Sequence, residues 1–197
     1  MRELSLHILD LVQNSLEAGA TRVRLEIGED LRADRLVIRV ADNGRGMDEE
    51  LRRRVLDAFT TTRTTRRVGL GLPLLAAAAE HCNGGVTVES APGKGTVVTA
   101  TFQHSHIDRA PLGNMVATLM TILTANPAVR LEYAHRVDER EFRFDTQEIK
   151  EQLGDVPLTY GPVLQWIREF IAENLAALHV SAPEQPEGEN HAQDQVH

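Results

Sequence analysis

Ala41-Asp42-Asn43-Gly44-Arg45-Gly46-Met47 is the stretch whose reading decides the fold. The run Leu36-Val37-Ile38-Arg39-Val40 delivers it with the β-branched content of a strand. A charged stretch from Asp48 follows and reads as a short helix, with Asp48 as N-cap and Glu49 and Glu50 complementing the helix dipole. Glycine takes positive φ freely and lets a ligand approach the main chain closely. Two glycines one residue apart, with a carboxylate two positions before the first, make a tight loop holding one acceptor. That suits a flat ligand carrying an amino group, such as adenine. Taken alone, the stretch reads equally well as an Asp-Asn-Gly turn between a strand and a helix.

Composition narrows the field. A chain of 197 residues holds one full domain, or one domain with an extension. A net charge of −8 argues against a general nucleic-acid surface, and 4% aromatic content argues against a stacking platform for single strands. The single cysteine, Cys82, excludes an intrachain disulfide and fits a reducing compartment. The start of the chain has no apolar signal core, and no apolar run approaches the roughly 20 residues needed to cross a bilayer. The expectation is a cytoplasmic protein with no nucleic-acid or membrane partner.

The flanking segments supply more chemistry. Glu3 to Ala18 reads as a helix ended by Gly19, with Leu4, Ile8, Leu11, Val12 and Leu16 on one face. Glu3, His7, Asp10, Asn14 and Glu17 form the opposite stripe, which in most helices is simply the solvated side. Asn14 is a poor helix former whose amide oxygen suits a divalent metal, and Asp10, one turn earlier, could hold or deprotonate a water beside it. Thr21 to Ile27 alternates as a strand, Gly28 to Asp34 reads as a turn, and Leu36 to Val40 as the next strand. From Phe59 to Arg67 hydroxyls and guanidinium groups alternate without an apolar period. This is a solvated loop or a loop that grips phosphate oxygens. It leads into Gly69-Leu70-Gly71-Leu72-Pro73, glycines ahead of a helix N-terminus, which is a natural anion site. Two further strands, Val86 to Ser90 and Thr96 to Phe102, flank the turn Ala91-Pro92-Gly93-Lys94-Gly95.

In this order the pieces resemble the ATP-binding domain of the GHKL superfamily, which includes gyrase-type topoisomerases, heat-shock chaperones of the same fold, histidine kinases and mismatch-repair ATPases. Asp10 to Ala20 resembles the N box and Asp42-Asn43-Gly44-Arg45-Gly46 the first glycine box. Phe59-Thr60-Thr61 resembles the F box, Gly69-Leu70-Gly71-Leu72 the second glycine box, and Gly93-Lys94-Gly95-Thr96 the third. The resemblance covers residues 3 to 103. It implies a two-layer α+β sandwich, a mixed sheet with helices on one face, that binds ATP and Mg²⁺. It implies that Asn14 coordinates the metal and that Asp42 accepts from the adenine amine. Gly44 and Gly46 would shape the adenine pocket, with Thr96 at its back. Gly69 and Gly71 would present N–H groups to the phosphates, under a lid from about Thr60 to Val68 whose cations are Arg63, Arg66 and Arg67. Hydrolysing members carry a glutamate four residues before the N-box asparagine; here that catalytic position is Asp10, one methylene shorter, which puts hydrolysis in question. The F box and second glycine box look more like histidine kinases, and Ala18-Gly19-Ala20-Thr21 more like mismatch-repair ATPases. Because the N box begins within the first ten residues, a phosphoacceptor is expected on a partner protein or in the C-terminal half. His7 is expected to be solvated or to line the pocket.

Residues 104–180 predict a smaller α+β extension offering a partner or dimer surface. Its expected elements are a helix over Leu112 to Ala125, strands Leu131 to Val137 and Glu141 to Asp145, a short helix capped by Asp145, and a helix over Pro162 to Leu178. His104-x-His106 stands in the connection, as a metal or modification site or as ordinary linker histidines. Residues 181–197 are polar, with prolines and no period, the composition of a disordered tail.

Overall fold

The hairpin of β1 (Arg22–Asp30) and β2 (Arg35–Asp42) forms the centre of the sheet. Its pairing runs from Val23 opposite Asp42 to Asp30 opposite Arg35. Gly28, Glu29 and Asp30, whose composition suggests a turn, therefore belong to the strand. The turn proper is closed by Asp30 Oδ1 accepting from Ala33 N at 2.8 Å and by Asp34 in the left-handed region at φ 53°. The computed structural model describes residues 3–60 and 71–179. Around the hairpin it places β3 (Gly85–Ser90), β4 (Thr96–Gln103), β5 (Arg130–Val137) and β6 (Arg140–Asp145). The strand order is β3-β4-β2-β1-β5-β6, antiparallel throughout except where β5 runs parallel to β1.

The alternation seen in the sequence sorts the two faces. Leu25, Ile38, Ala100, Leu131 and Phe144 are buried on one face, under α1 (Leu4–Glu17), α3 (Gly71–His81), α4 (Met115–Ala125) and α6 (Gly161–Leu178). Each large aliphatic side chain so buried contributes about 1.5–3 kcal/mol. The other face carries exposed ion pairs such as Arg24–Glu132 and Arg39–Glu26, both at 2.6 Å. Pairs of that kind stabilise little, so the core lies wholly between sheet and helices. Two helices, α2 (Glu49–Thr60) and α5 (Thr146–Leu153), complete the α+β sandwich. Asp48 caps α2, accepting from Leu51 N at 2.7 Å, and Asp145 caps α5, accepting from Gln147 N at 2.8 Å.

The segment after β4 continues the same sheet. Tyr133, Phe142 and Phe144 enter the common core, and α4 packs against α1. The sequence places the start of α4 at Leu112; the helix begins at Met115 because Asn114 caps it, accepting from Ala117 N at 2.9 Å. Residues 111 and 112 instead form a strap, their carbonyls accepting from Leu4 N at 3.0 Å and Ser5 N at 2.8 Å. Two otherwise unpaired N–H groups of the first turn of α1 are satisfied in this way.

Glu29 anchors the far end of the hairpin. Its Oε1 contacts His135 Nε2 at 2.7 Å and His179 Nε2 at 3.3 Å, and its Oε2 contacts His104 Nε2 at 2.8 Å. Burial works to raise the Glu29 pKa, but hydrogen bonds from His135 and His104 outweigh it and hold the carboxyl at about 2. Burial pushes the Tyr133 phenol up, and its hydroxyl lies 3.0 Å from His135 Nδ1; an ionised carboxylate only accepts, so His135 Nε2–H faces Glu29. His104 is thus one arm of this clasp, whereas His106 is exposed. Residues 181–197 and the lid as far as Val68, beyond Thr60, lie outside the described residues.

Candidate functional site

Asp42 is the last residue of β2 and pairs with Thr96, the first of β4. Strand ends leave backbone groups free, and here the Asp42 side chain gathers them. Oδ1 accepts from Gly44 N at 2.8 Å and Thr96 N at 3.2 Å, while Oδ2 accepts from Ser15 Oγ at 2.8 Å. Oδ1 is filled by two N–H groups, whereas Oδ2 keeps a lone pair beyond the Ser15 bond. Asn43 turns the other way. Its Oδ1 accepts from Thr21 N and Arg22 N at 2.9 and 2.8 Å, and its Nδ2 donates to Thr21 Oγ1 at 2.8 Å, pinning the loop to the start of β1.

Two glycines are required by close approach. Gly46 (φ 68°) and Gly95 (φ 80°) sit in the left-handed region, and a Cβ at either would collide with a carbonyl oxygen, that of Ala91 or of Asp42 respectively. The two loops are therefore pressed together. Ser90 joins them: Met47 N donates to Ser90 Oγ at 2.8 Å, and Ser90 Oγ donates to the Gly95 carbonyl at 2.9 Å. Gly93 N donates to the Arg45 carbonyl at 2.7 Å. Gly44 lies against Ala18 at the end of α1.

A cavity of about 260 Å³ opens between these loops, α1 and α3. Asn14, Asp42, Gly46 and Thr96 line it together with an apolar wall of Met47, Leu51, Val55 and Leu72. One apolar wall facing a few fixed polar atoms is the make-up of a small-molecule pocket. A depression of about 370 Å³ on the open sheet face is larger, but its Arg24, Glu132, Arg130 and Asp145 already pair with one another. The Asn14 side chain is exposed and makes no hydrogen bond among the described residues, so its oxygen is free for a ligand.

Asp10 and Gly71 form a second, adjoining locus. A Cβ on Gly71 would lie 3.1 Å from Asp10 Cβ and Oδ2, so the carboxylate rests against the first residue of α3. His7 departs from the expectation of a solvated or pocket-lining residue: it is 4% exposed and absent from the cavity wall, because α1 lays this part of its polar stripe against α3. Burial lowers its pKa against the opposing influence of Asp10, and its Nδ1 has no hydrogen-bond partner among the described residues. Arg63, Arg66 and Gly69 lie outside the described residues. Ser15 and Ser90 join the site only through the folded structure. Ser90 had one available signal: a hairpin with a five-residue connection sets position 90 opposite 96.

The family model describing histidine kinase-, DNA gyrase B- and HSP90-like ATPases matches residues 2–106. The chain belongs to this family. Among its relatives, the sensor histidine kinase AruS of Pseudomonas aeruginosa is 30% identical over 150 residues, covering 72% of this chain and 15% of that protein. The sensor protein kinase FleS of the same organism is 40% identical over 92 residues, covering 47% and 23%. The chain thus spans less than a quarter of the length of these relatives. Among solved structures, the Aquifex aeolicus MutL ATPase domain complexed with ADP is 21% identical at a TM-score of 0.45, covering 78% of this chain and 68% of that one. No helix among the described residues is long and apolar enough to cross a membrane.

Proposed function

We propose that this ATPase-family chain binds Mg-ATP in the cavity at the end of β2 and passes the γ-phosphoryl group to an acceptor on a partner protein. The observation that carries the binding part is Asp42. Three protein donors orient its carboxylate, and one lone pair of Oδ2 is left over beside an apolar slot of base-sized volume. An exocyclic amine is the donor that lone pair would take.

With the base there, the phosphates run along α1 toward Asp10 and the start of α3. Gly71 offers its backbone close to the carboxylate, at a helix N-terminus that favours negative charge. Among the described residues no group of three His, Cys, Asp or Glu could hold a metal ion. The donor set therefore fits Mg²⁺ carried mainly by phosphate oxygens and waters, with the Asn14 amide oxygen as its protein ligand. Bound there, the ion would neutralise phosphate charge. The likeness to sensor kinases supports transfer to a protein, and the partner, with a dimer through the C-terminal half, belongs to this proposal. Cytoplasmic location belongs to it as well.

The second reading, an ATP-hydrolysing switch, is favoured by one observation: the Asp10 carboxylate rests against Gly71 at the start of α3, where it would hold or deprotonate a water beside phosphates lying along α1. The fate of γ-labelled Mg-ATP separates the two. For transfer, purified protein alone releases little phosphate, Asp10→Asn changes that little, and label moves to protein when a partner is supplied. Free phosphate that falls at least tenfold in Asp10→Asn, with ATP still bound, overturns transfer in favour of the switch.

A further inference from the structure

The first turn of α3 is lightly anchored. None of Gly71, Leu72, Pro73 and Leu74 is fully buried, and Leu75 is the first side chain of the helix that is. The turn has no acidic residue of its own to meet the helix dipole, and Asp10 rests against Gly71 from α1 instead. A helix start that is to meet phosphates needs a fixed position.

His7 stands three residues before Asp10 and is buried where α1 packs on α3. Burial lowers its pKa, while Asp10 and a hydrogen bond to the Gly71 main chain act the other way. A bond that favours the charged imidazole has a ring N–H donating, here to the Gly71 carbonyl. Nδ1 has no partner among the described residues, so the donor is Nε2. The Gly71 carbonyl has two lone pairs and can accept this bond beside its helical one. A buried ring nitrogen left unpaired is destabilising, and a leucine at this position would avoid that cost. Stability therefore does not favour an imidazole here, and what the ring adds is its bond to Gly71.

We infer that His7 is a positioning residue for the phosphate end of the site. Through the Gly71 carbonyl it holds the first turn of α3 beside Asp10, so that the helix N-terminus meets the phosphates in one fixed place. The inference rests on the Mg-ATP reading and adds to it a side chain that touches no ligand.

Mg-ATP and adenosine share base and sugar, so the ratio of their dissociation constants, read by nuclear magnetic resonance titration, reports what the phosphates contribute. His7→Leu fills the space without a donor. His7→Asn places an amide near the Nδ1 position, and His7→Gln places one near Nε2, within reach of Gly71. The preference for Mg-ATP should fall about tenfold in His7→Leu and His7→Asn. It should stay within about threefold of wild type in His7→Gln. Adenosine affinity should hold in all three, because the base lies at Asp42. If His7→Leu does not fold, the His7→Gln and His7→Asn pair carries the test. An unchanged preference in His7→Asn, or a fall in His7→Gln as deep as in His7→Asn, overturns the inference and leaves the nucleotide reading standing. A loss shared equally by adenosine and Mg-ATP does the same, since it marks a purely structural role. A wild-type chain that binds Mg-ATP no better than adenosine, or binds neither, overturns both.

Discussion

Asp42 and Glu29 stand at opposite ends of the β1–β2 hairpin, and each is a partly buried carboxylate with three protein partners. Asp42 draws its partners from the loop beside it, the facing strand and α1: two backbone N–H groups and one hydroxyl. They fix its direction and leave an oxygen lone pair facing a cavity. Glu29 draws three imidazoles from segments far apart in sequence: the connection after β4, β5, and the end of α6. Partners that merely orient a charge leave it available to a ligand. Partners that surround it with titratable donors spend it on holding distant segments together.

The largest effect should come from reversing Asp42. Asp42→Asn keeps one oxygen for the Gly44 and Thr96 N–H groups but turns an amide donor toward Ser15 and the cavity. ATP affinity should drop about 100-fold or more, ~3 kcal/mol, with the circular dichroism spectrum retained. Calorimetric titration showing unchanged affinity would erase the distinction between the two carboxylates. Alanine is the poorer probe, since it also strips acceptors from backbone groups, one of them on buried Gly44.

Glu29→Gln should leave ATP affinity unchanged and cost stability. With the folded-state pKa held at about 2 against an ordinary 4.5, the carboxylate contributes ~3 kcal/mol at pH 7. A depressed carboxyl pKa gives stability that is present above the unfolded value and is lost as pH falls through 4.5 toward 2. Denaturant melts of variant and wild type should therefore draw together as pH falls from 5 toward 2, and a gap independent of pH would show that the clasp does not depend on the Glu29 charge.

His7 gives the smallest effect and the sharpest contrast with His135, because it is a buried imidazole without a carboxylate bond. Its pKa is lowered by burial, so its neutral form is the folded one and its contribution is intact above 6.5. As pH falls below 6.5 the unfolded chain takes up the proton first, and wild type should lose stability relative to His7→Leu. Parallel thermal melts of the two proteins from pH 7 to pH 5 would refute this.

Much of the fold, and of the backbone around the candidate site, was legible because its residues obey local rules. Asp48 and Asp145 announce helix starts, Gly46 and Gly95 announce positive φ, and the alternation of Leu36 to Val40 points Asp42 to the sheet end. The rest depends on partners that sequence spacing does not reveal. His7 looks solvated on a helical wheel and is buried only because α3 crosses α1 there. Glu29 sits in a composition typical of turns, and its three histidines stand 75, 106 and 150 residues away. Nothing in Leu131 to Val137 announces that β5 will lie parallel to β1, since that choice is made by the joint apolar face of sheet and helices.

The strap at residues 111 and 112 and the seat of β5 beside β1 bear on how this molecule can be divided. The family match closes at residue 106, yet the structure does not close there. A polypeptide ended at that point would keep every motif around the candidate site. It would also bare eight positions along β1, from Arg22 to Glu29, and uncap the first turn of α1. An open strand edge of that length invites pairing with another chain. The later half of this protein therefore shields the earlier half, covering a strand edge that would otherwise lie open.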